Sequence, residues 1–158
     1  MLELTNRNGE AMKRIPGQPL RIIDANLNRI GEGLRVLEEI ARLMLDDTAL
    51  TQRLKDMRHE LVKVDLSLEQ QFLGARNSAG DVGADLEVLG EEKAKEIPSM
   101  VVANARRVQE ALRVMEEMAK STEIPLESDK FKRARFSLYT IEKELFARLK
   151  HREEGQNE

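Results

Sequence analysis

Apolar residues recur every three or four positions along most of the chain, which is the spacing of a helix with one buried face. One stripe begins near Leu20 and predicts a helix that runs to about Leu45. The next residues, Asp46-Asp47-Thr48, supply a stop and then an N-cap for a second helix. This second helix is predicted to run without a break to Phe72. Its apolar stripe consists of Leu50, Leu54, Met57, Leu61, Val64, Leu68 and Phe72.

The second part of the chain repeats this pattern after a glycine-rich segment. Residues 74–90 predict an ordered loop, and a short helix is expected over Glu91–Glu96. Pro98 suits the first turn of a helix that continues to about Lys120. A connection over residues 121–129 then leads to a last helix, predicted from about 130 to 152. Its apolar stripe consists of Phe131, Ala134, Leu138, Ile141, Leu145 and Leu149.

Two segments of the chain have nearly the same sequence. Residues 25–42 and 103–120 align at an offset of 78 positions with ten of the eighteen residues identical, and the stripes that follow align at an offset of 77. Convergent helix patterns would explain the stripes but not the matched pairs Asn26/Asn104 and Arg58/Arg135. We therefore predict an all-α fold in which two repeated helix hairpins form a pseudo-twofold four-helix bundle with an ordered Gly/Asp-rich loop.

The expected organisation is a single helical domain over residues 20–150, with repeat halves at about 20–73 and 98–150. A flexible leader is expected over residues 1–19 and a flexible tail over 151–158. Of the 158 residues, 41% are hydrophobic and only 3% aromatic, which suits packed helices with an aliphatic core. The net charge of −3 argues against a nucleic-acid or acidic-membrane partner. The absence of cysteine excludes disulfides and thiolate sites and fits a cytoplasmic protein.

Polar residues within the repeated helix are candidates for substrate binding, because a buried amide needs hydrogen-bond partners. A structural role is equally open, since seam asparagines can fix helix register and Arg–Glu pairs three residues apart often lie on the surface. The candidates are Asn26, Arg29, Glu32, Asn104, Arg107 and Glu110. The residues expected on solvated faces are Glu38, Glu39, Glu116 and Glu117.

Arg58 and Arg135 adjoin the apolar stripes of the other two helices. Such an arginine either lays its stem on apolar surface or directs a planar guanidinium to a phosphate. His59 is suited to proton transfer near neutral pH, although a lone histidine is commonly structural.

The segment from Gly74 to Asp85 combines glycines, a cation and carboxylates. Glycines allow backbone N–H groups to turn toward an anion, Arg76 adds positive charge, and Asp81 and Asp85 are suited to Mg²⁺. The segment matches neither the common phosphate loop nor Gly-x-Gly-x-x-Gly. A connection in which aspartates cap the turns explains it equally well.

Four segments in this order resemble one known family. They are 24–39, 54–61 (Leu-Lys-Asp-Met-Arg-His-Glu-Leu), 75–83 (Ala-Arg-Asn-Ser-Ala-Gly-Asp-Val-Gly) and 103–114. Together they are similar to the single-function hydroxymethylpyrimidine phosphate kinase family of thiamin biosynthesis, often fused to thiamin phosphate synthase. The resemblance covers about residues 20–150. The family commonly has Asp where this chain has Asn77, which leaves Asp81 as the better candidate carboxylate.

The resemblance implies ATP-dependent phosphorylation of 4-amino-2-methyl-5-(phosphomethyl)pyrimidine to the diphosphate, with ATP and Mg²⁺ as cofactors. Because the acceptor is already a phosphate, no strong general base is required. We expect Asp81 and Asp85 to bind Mg²⁺, and Asn26 or Asn104 to recognise the pyrimidine's ring nitrogen and amino group. The expected catalytic residues are Arg58, His59, Arg76 and Asp81. The expected phosphate-binding arginines are Arg58, Arg76 and Arg107, with Arg29 and Arg135 in secondary positions.

Two other functions remain open from the residues alone. One is a small all-helical mutase that binds an anionic substrate with Arg, Asn and Glu and needs neither ATP nor Mg²⁺. The other is a non-enzymatic helical interaction module whose apolar stripes bind a partner. A homo-oligomer is compatible with each of these functions.

Overall fold

The computed structural model describes residues 15–86 and 96–156. A turn of π-helix, Ile40–Met44, extends the first helix. Within the described ranges there is no strand, so the predicted all-α class is confirmed. The α-helices are α1 (Gly17–Glu39), α2 (Thr48–Val62), α3 (Leu66–Ala75), α4 (Ile97–Met118) and α5 (Ser128–Gln156).

The two hairpins meet along their first helices. α1 packs extensively on α4, while α2 packs on α1, α5 packs on α4, and α2 and α5 contact each other only slightly. Gly33 marks a close approach of α1 to α4, since a Cβ atom there would lie 3.2 Å from the carbonyl oxygen of Asn104 and would overlap the side chain of Val108. The centre of the fold is therefore the contact between the two copies of the repeated helix.

The connections at the helix starts follow the sequence pattern. Asp46, which follows the π-helical turn and its C-cap Leu45, has a positive φ of 49°. The carboxylate of Asp47 then accepts a hydrogen bond from the N–H of Leu50 at 2.9 Å, which confirms the predicted N-cap. Pro98 lies in the first turn of α4, as expected.

The second apolar stripe is divided between two helices, so the prediction of one unbroken helix was wrong. α2 ends at Val62, and Lys63 has an extended backbone with ψ of 119°. Asp65 caps α3 by accepting a hydrogen bond from the N–H of Leu68 at 2.8 Å. The apolar spacing continues in phase across this break, which is why the stripe alone does not reveal it.

The folded part extends beyond the expected domain limits. Ile15 is only 4% exposed and its N–H donates to the Gln71 side chain at 3.2 Å, so the ordered chain begins before Leu20. α5 is helical to Gln156, and residues 151–156 of the expected tail are thus part of a helix. The expected leader over 1–14 and the short helix predicted up to Glu96 lie outside the described residues, apart from Glu96 itself, which precedes α4. None of the helices described is long and apolar enough to cross a membrane.

Candidate functional site

The repeat produces the same buried ion pair in both hairpins. Arg58 donates through Nε to Glu38 at 2.8 Å, and Arg135 donates through Nη2 to Glu116 at 2.9 Å. Glu38 and Glu116 are 4% and 2% exposed, so the expectation of a solvated face was wrong for these two glutamates. Their neighbours Glu39 and Glu117 are exposed, as expected.

These pairs give the two guanidiniums a role in the scaffold. A buried carboxylate is costly unless it is paired, and each arginine supplies that partner from the other helix of its hairpin. The hydrogen bond with Glu116 also raises the pKa of the Arg135 guanidinium above its ordinary value. The geometry therefore gives Arg58 and Arg135 a role in hairpin packing, and their predicted role in phosphate binding stays a prediction.

Each seam asparagine donates a hydrogen bond to a carbonyl oxygen of its own helix. The Nδ2 atom of Asn26 donates to the carbonyl oxygen of Ile22 at 2.8 Å, and that of Asn104 donates to the carbonyl oxygen of Met100 at 2.8 Å. In α1, Arg29 also donates through Nη1 to Oδ1 of Asn26 at 3.3 Å. Asn26 thus uses one of its two amide hydrogens and one of the two acceptor sites on its oxygen within α1. Its predicted role in recognising a pyrimidine stays a prediction.

A cleft opens between α1 and the loop that follows α3. We call it the α1 cleft. Its side-chain lining includes Gln18, Arg21, Ile22, Asp24, Asn26, Asn28, Arg29, Arg76, Asn77, Ser78 and Asp81. The predicted site residues that meet here are Asn26, Arg29, Arg76 and Asp81. The other predicted site residues, which do not line this cleft, are Arg58, His59, Asp85, Asn104, Arg107, Glu110 and Arg135.

An ion pair joins the two walls of the α1 cleft. Arg76 donates through Nε to Oδ2 of Asp24 at 2.7 Å and through Nη2 to Oδ1 at 2.9 Å. Asp24 is 7% exposed and also accepts a hydrogen bond from Nδ2 of Asn28 at 3.3 Å. The hydrogen bond with Asp24 raises the pKa of the Arg76 guanidinium above its ordinary value.

The loop itself is a series of turns closed by side chains. Oδ1 of Asn77 accepts from the N–H of Gly80 at 2.9 Å, and Oδ1 of Asp81 accepts from the N–H of Gly83 at 2.9 Å. A Cβ atom on Gly80 would overlap the side-chain amide of Asn77, so a larger residue at this position would displace that side chain. The turn-capping role that the sequence left open for an aspartate is therefore present at Asp81.

The lining carboxylates differ in what they offer a cation. Asp24 is occupied by Arg76, whereas Oδ2 of Asp81 makes no hydrogen bond or ion pair with a described residue. Asp85 is exposed and lies outside the cleft lining. The described residues contain no group of three metal-binding side chains. Mg²⁺ that is held mainly by nucleotide phosphates needs only one or two protein carboxylates, and Asp81 fits that requirement.

A family model matches residues 21–144, which include both walls of the α1 cleft. The chain belongs to the ThiD2 family. It is 44% identical over 105 residues to the thiamine-phosphate synthase of Rhodopirellula baltica, a match that covers 66% of this chain and 28% of that relative. It is 39% identical over 131 residues to the thiamine-phosphate synthase of Nostoc punctiforme, covering 83% of this chain and 36% of the relative.

The thiamine-phosphate synthase of Thermosynechococcus vestitus gives a similar match, with 40% identity over 130 residues that cover 82% of this chain and 36% of the relative. This ThiD2 chain thus spans about a third of the length of the curated relatives it matches. No solved structure matches it.

Two charged residues of the cleft were missed in the sequence. Arg21 and Asp24 align with Ser99 and Val102 in the other half of this ThiD2 chain, at the same offset of 78. A charge in one copy of a repeat with an uncharged counterpart in the other is the signal that would have found both. Arg21 makes no hydrogen bond or ion pair with any residue in the described ranges. It therefore adds an uncompensated positive charge to the cleft.

Proposed function

We propose that this chain transfers the γ-phosphoryl group of ATP to 4-amino-2-methyl-5-(phosphomethyl)pyrimidine in thiamin biosynthesis, which yields the diphosphate and ADP. Membership of the ThiD2 family and the names of the thiamine-phosphate synthase relatives support the pathway. The specific reaction is what the four sequence motifs imply through their resemblance to hydroxymethylpyrimidine phosphate kinases.

The observation that carries the proposal is the charge arrangement of the α1 cleft. Two arginines that line it, Arg21 and Arg29, have no carboxylate partner among the described residues, and Asp81 faces the same space from the loop. Guanidinium groups bind phosphate oxygens with two-pronged geometry. A cleft with free arginines and one available carboxylate suits two phosphate-bearing ligands and a magnesium ion.

Phosphoryl transfer needs positioning and charge neutralisation more than covalent participation by the protein. The acceptor oxygen belongs to a phosphate that is already anionic near neutral pH, so the cleft needs no histidine. His59 is exposed and lies outside the cleft lining, which agrees with that requirement. Asp81 would hold Mg²⁺, which neutralises charge on the ATP oxygens. Because an arginine would bind the acceptor phosphate, we expect the monophosphate to be preferred over the free alcohol.

Phosphorus NMR tests this reaction directly. The protein is incubated with ATP, Mg²⁺ and the pyrimidine monophosphate, with a parallel sample that contains the free alcohol. We expect the two resonances of a new diphosphate together with ADP, and much slower change in the alcohol sample. ATP hydrolysis without a pyrimidine diphosphate would overturn the proposal. Conversion of the monophosphate in the absence of ATP would favour the mutase instead.

A further inference from the structure

We infer that Asp24 and Arg76 are positioning residues that fix the loop over residues 76–86, and that Arg21 and Arg29 are the guanidiniums that bind phosphate in the α1 cleft. The inference rests on the proposed function for the identity of the anionic ligands. It separates the cleft arginines into a structural member and two binding members.

Arg76 has little capacity left for a ligand. Its Nε and Nη2 atoms face the two carboxylate oxygens of Asp24, at 2.7 and 2.9 Å, and Nη2 also lies 3.9 Å from a carboxylate oxygen of Glu69. If the guanidinium of Arg76 turned toward a phosphate, the carboxylate of Asp24 would remain buried without its cation. Breaking such a pair from one side is strongly unfavourable.

The ion pair fixes the start of the loop because of where Arg76 lies in the chain. Arg76 directly follows the last residue of α3, and its partner Asp24 lies 52 residues earlier on a buried face of α1. The pair therefore ties the first residue of the loop to α1. The hydrogen-bonded turns at Asn77 and Asp81 then carry the chain along the cleft, so that Asp81 lies at its edge.

Arg21 and Arg29 are the cleft arginines without a counter-charge in the described part of the chain. They lie eight residues apart on α1, which separates their Cα atoms by about 12 Å along the helix axis. Asn26 holds Arg29 through the 3.3 Å hydrogen bond between Nη1 and Oδ1. Two separate cations on one rigid helix match a reaction that must hold a donor phosphate and an acceptor phosphate together.

Two measurements on substituted proteins, both made without ATP or pyrimidine, distinguish the positioning of the loop from the binding of phosphate. One measurement is millisecond hydrogen exchange at Gly80, Gly83 and Ala84, whose N–H groups bond within the loop. The other is calorimetric binding of inorganic pyrophosphate. Arg106→Ala serves as the matched control, because Arg106 is exposed on α4 and has no partner among the described residues.

For the loop, we expect Arg76→Ala and the milder Asp24→Asn to speed exchange at all three amides. The charge swap Asp24→Arg/Arg76→Asp should slow exchange again, while pyrophosphate affinity changes less than about threefold in each variant. For binding, Arg21→Ala and Arg29→Ala should each lower the affinity for pyrophosphate by about ten- to a hundredfold, as expected for the loss of a charge-assisted hydrogen bond. Neither substitution should change hydrogen exchange in the loop.

The inference is overturned if Arg76→Ala lowers the affinity for pyrophosphate as much as Arg29→Ala does, and if the charge swap restores neither that affinity nor the slow exchange of the loop amides. It is equally overturned if Arg21→Ala and Arg29→Ala bind pyrophosphate like Arg106→Ala. Neither outcome depends on kinase turnover. A chain that makes no diphosphate but shows the expected exchange and binding would refute the proposed reaction and leave the assignment of the arginines intact.

Discussion

Arg135 donates hydrogen bonds to the buried carboxylate of Glu116 on the neighbouring helix, and its repeat counterpart Arg58 forms the same kind of ion pair with Glu38. All four residues belong to matched positions of the repeat. These matched Arg–Glu pairs therefore hold each hairpin together. Arg21 and Asp24, whose counterparts Ser99 and Val102 in the other half are uncharged, line the α1 cleft.

Removing the arginine of such a pair should destabilise the fold strongly. In Arg135→Ala the carboxylate of Glu116, whose side chain is 3% exposed, loses its cation. We expect the free energy of unfolding, measured by urea denaturation, to fall by about 3 kcal/mol or more. Arg53→Ala removes a surface pair with Glu144 and should cost less than about 1 kcal/mol. Equal, small losses in both variants would show that the buried pair does not stabilise the hairpin.

The contact between the repeated helices should be sensitive to one methyl group. Gly33→Ala places a Cβ atom against Val108 and 3.2 Å from the backbone oxygen of Asn104, which cannot move aside easily. We expect a loss of about 1–3 kcal/mol in unfolding free energy from overpacking. Gly74→Ala is the control, because nothing lies within 4 Å of its Cβ and alanine favours a helix by up to about 1 kcal/mol. An unchanged free energy of unfolding in Gly33→Ala would contradict the close approach of α1 to α4 at this position.

The helices follow from the apolar spacing because a buried face repeats every three or four residues. The break after Val62 does not follow from the apolar spacing. Val64, Leu68 and Phe72 continue the same spacing, while the cap at Asp65 starts a new helix. Local capping competes with periodicity here, and only the backbone geometry shows which one determines the structure.

The loop should depend on Gly80 for its shape. A methyl group at this position displaces the side chain of Asn77 and removes its 2.9 Å hydrogen bond to the N–H of residue 80. Because the loop is exposed, we expect Gly80→Ala to change the melting temperature by no more than about 2 °C, in line with ordinary surface substitutions. Kinase turnover should nevertheless fall about tenfold or more, since Asp81 loses its placement. Unchanged turnover would exclude the loop from the active site.

The site was harder to predict than the fold. The loop residues Arg76 and Asp81 stood out by their setting among glycines, and both lie in the cleft with Asn26 and Arg29. The partner of Arg76 is Asp24, which lies 52 residues away along the chain, so their contact exists only in three dimensions. Side chains that look alike in the sequence, such as Arg58 and Arg29, differ in whether a buried carboxylate already neutralises them.

We propose that phosphoryl transfer to the pyrimidine monophosphate takes place in the α1 cleft. The most direct measurement is the initial rate of diphosphate formation, followed by phosphorus NMR, in Arg29→Ala, Asp81→Ala and the control Arg106→Ala, with circular dichroism to confirm equal helicity. We predict wild-type rates for Arg106→Ala and rates lower by about a hundredfold for the two cleft variants, as for the loss of charge stabilisation in a transition state. Wild-type rates in both cleft variants would contradict the account.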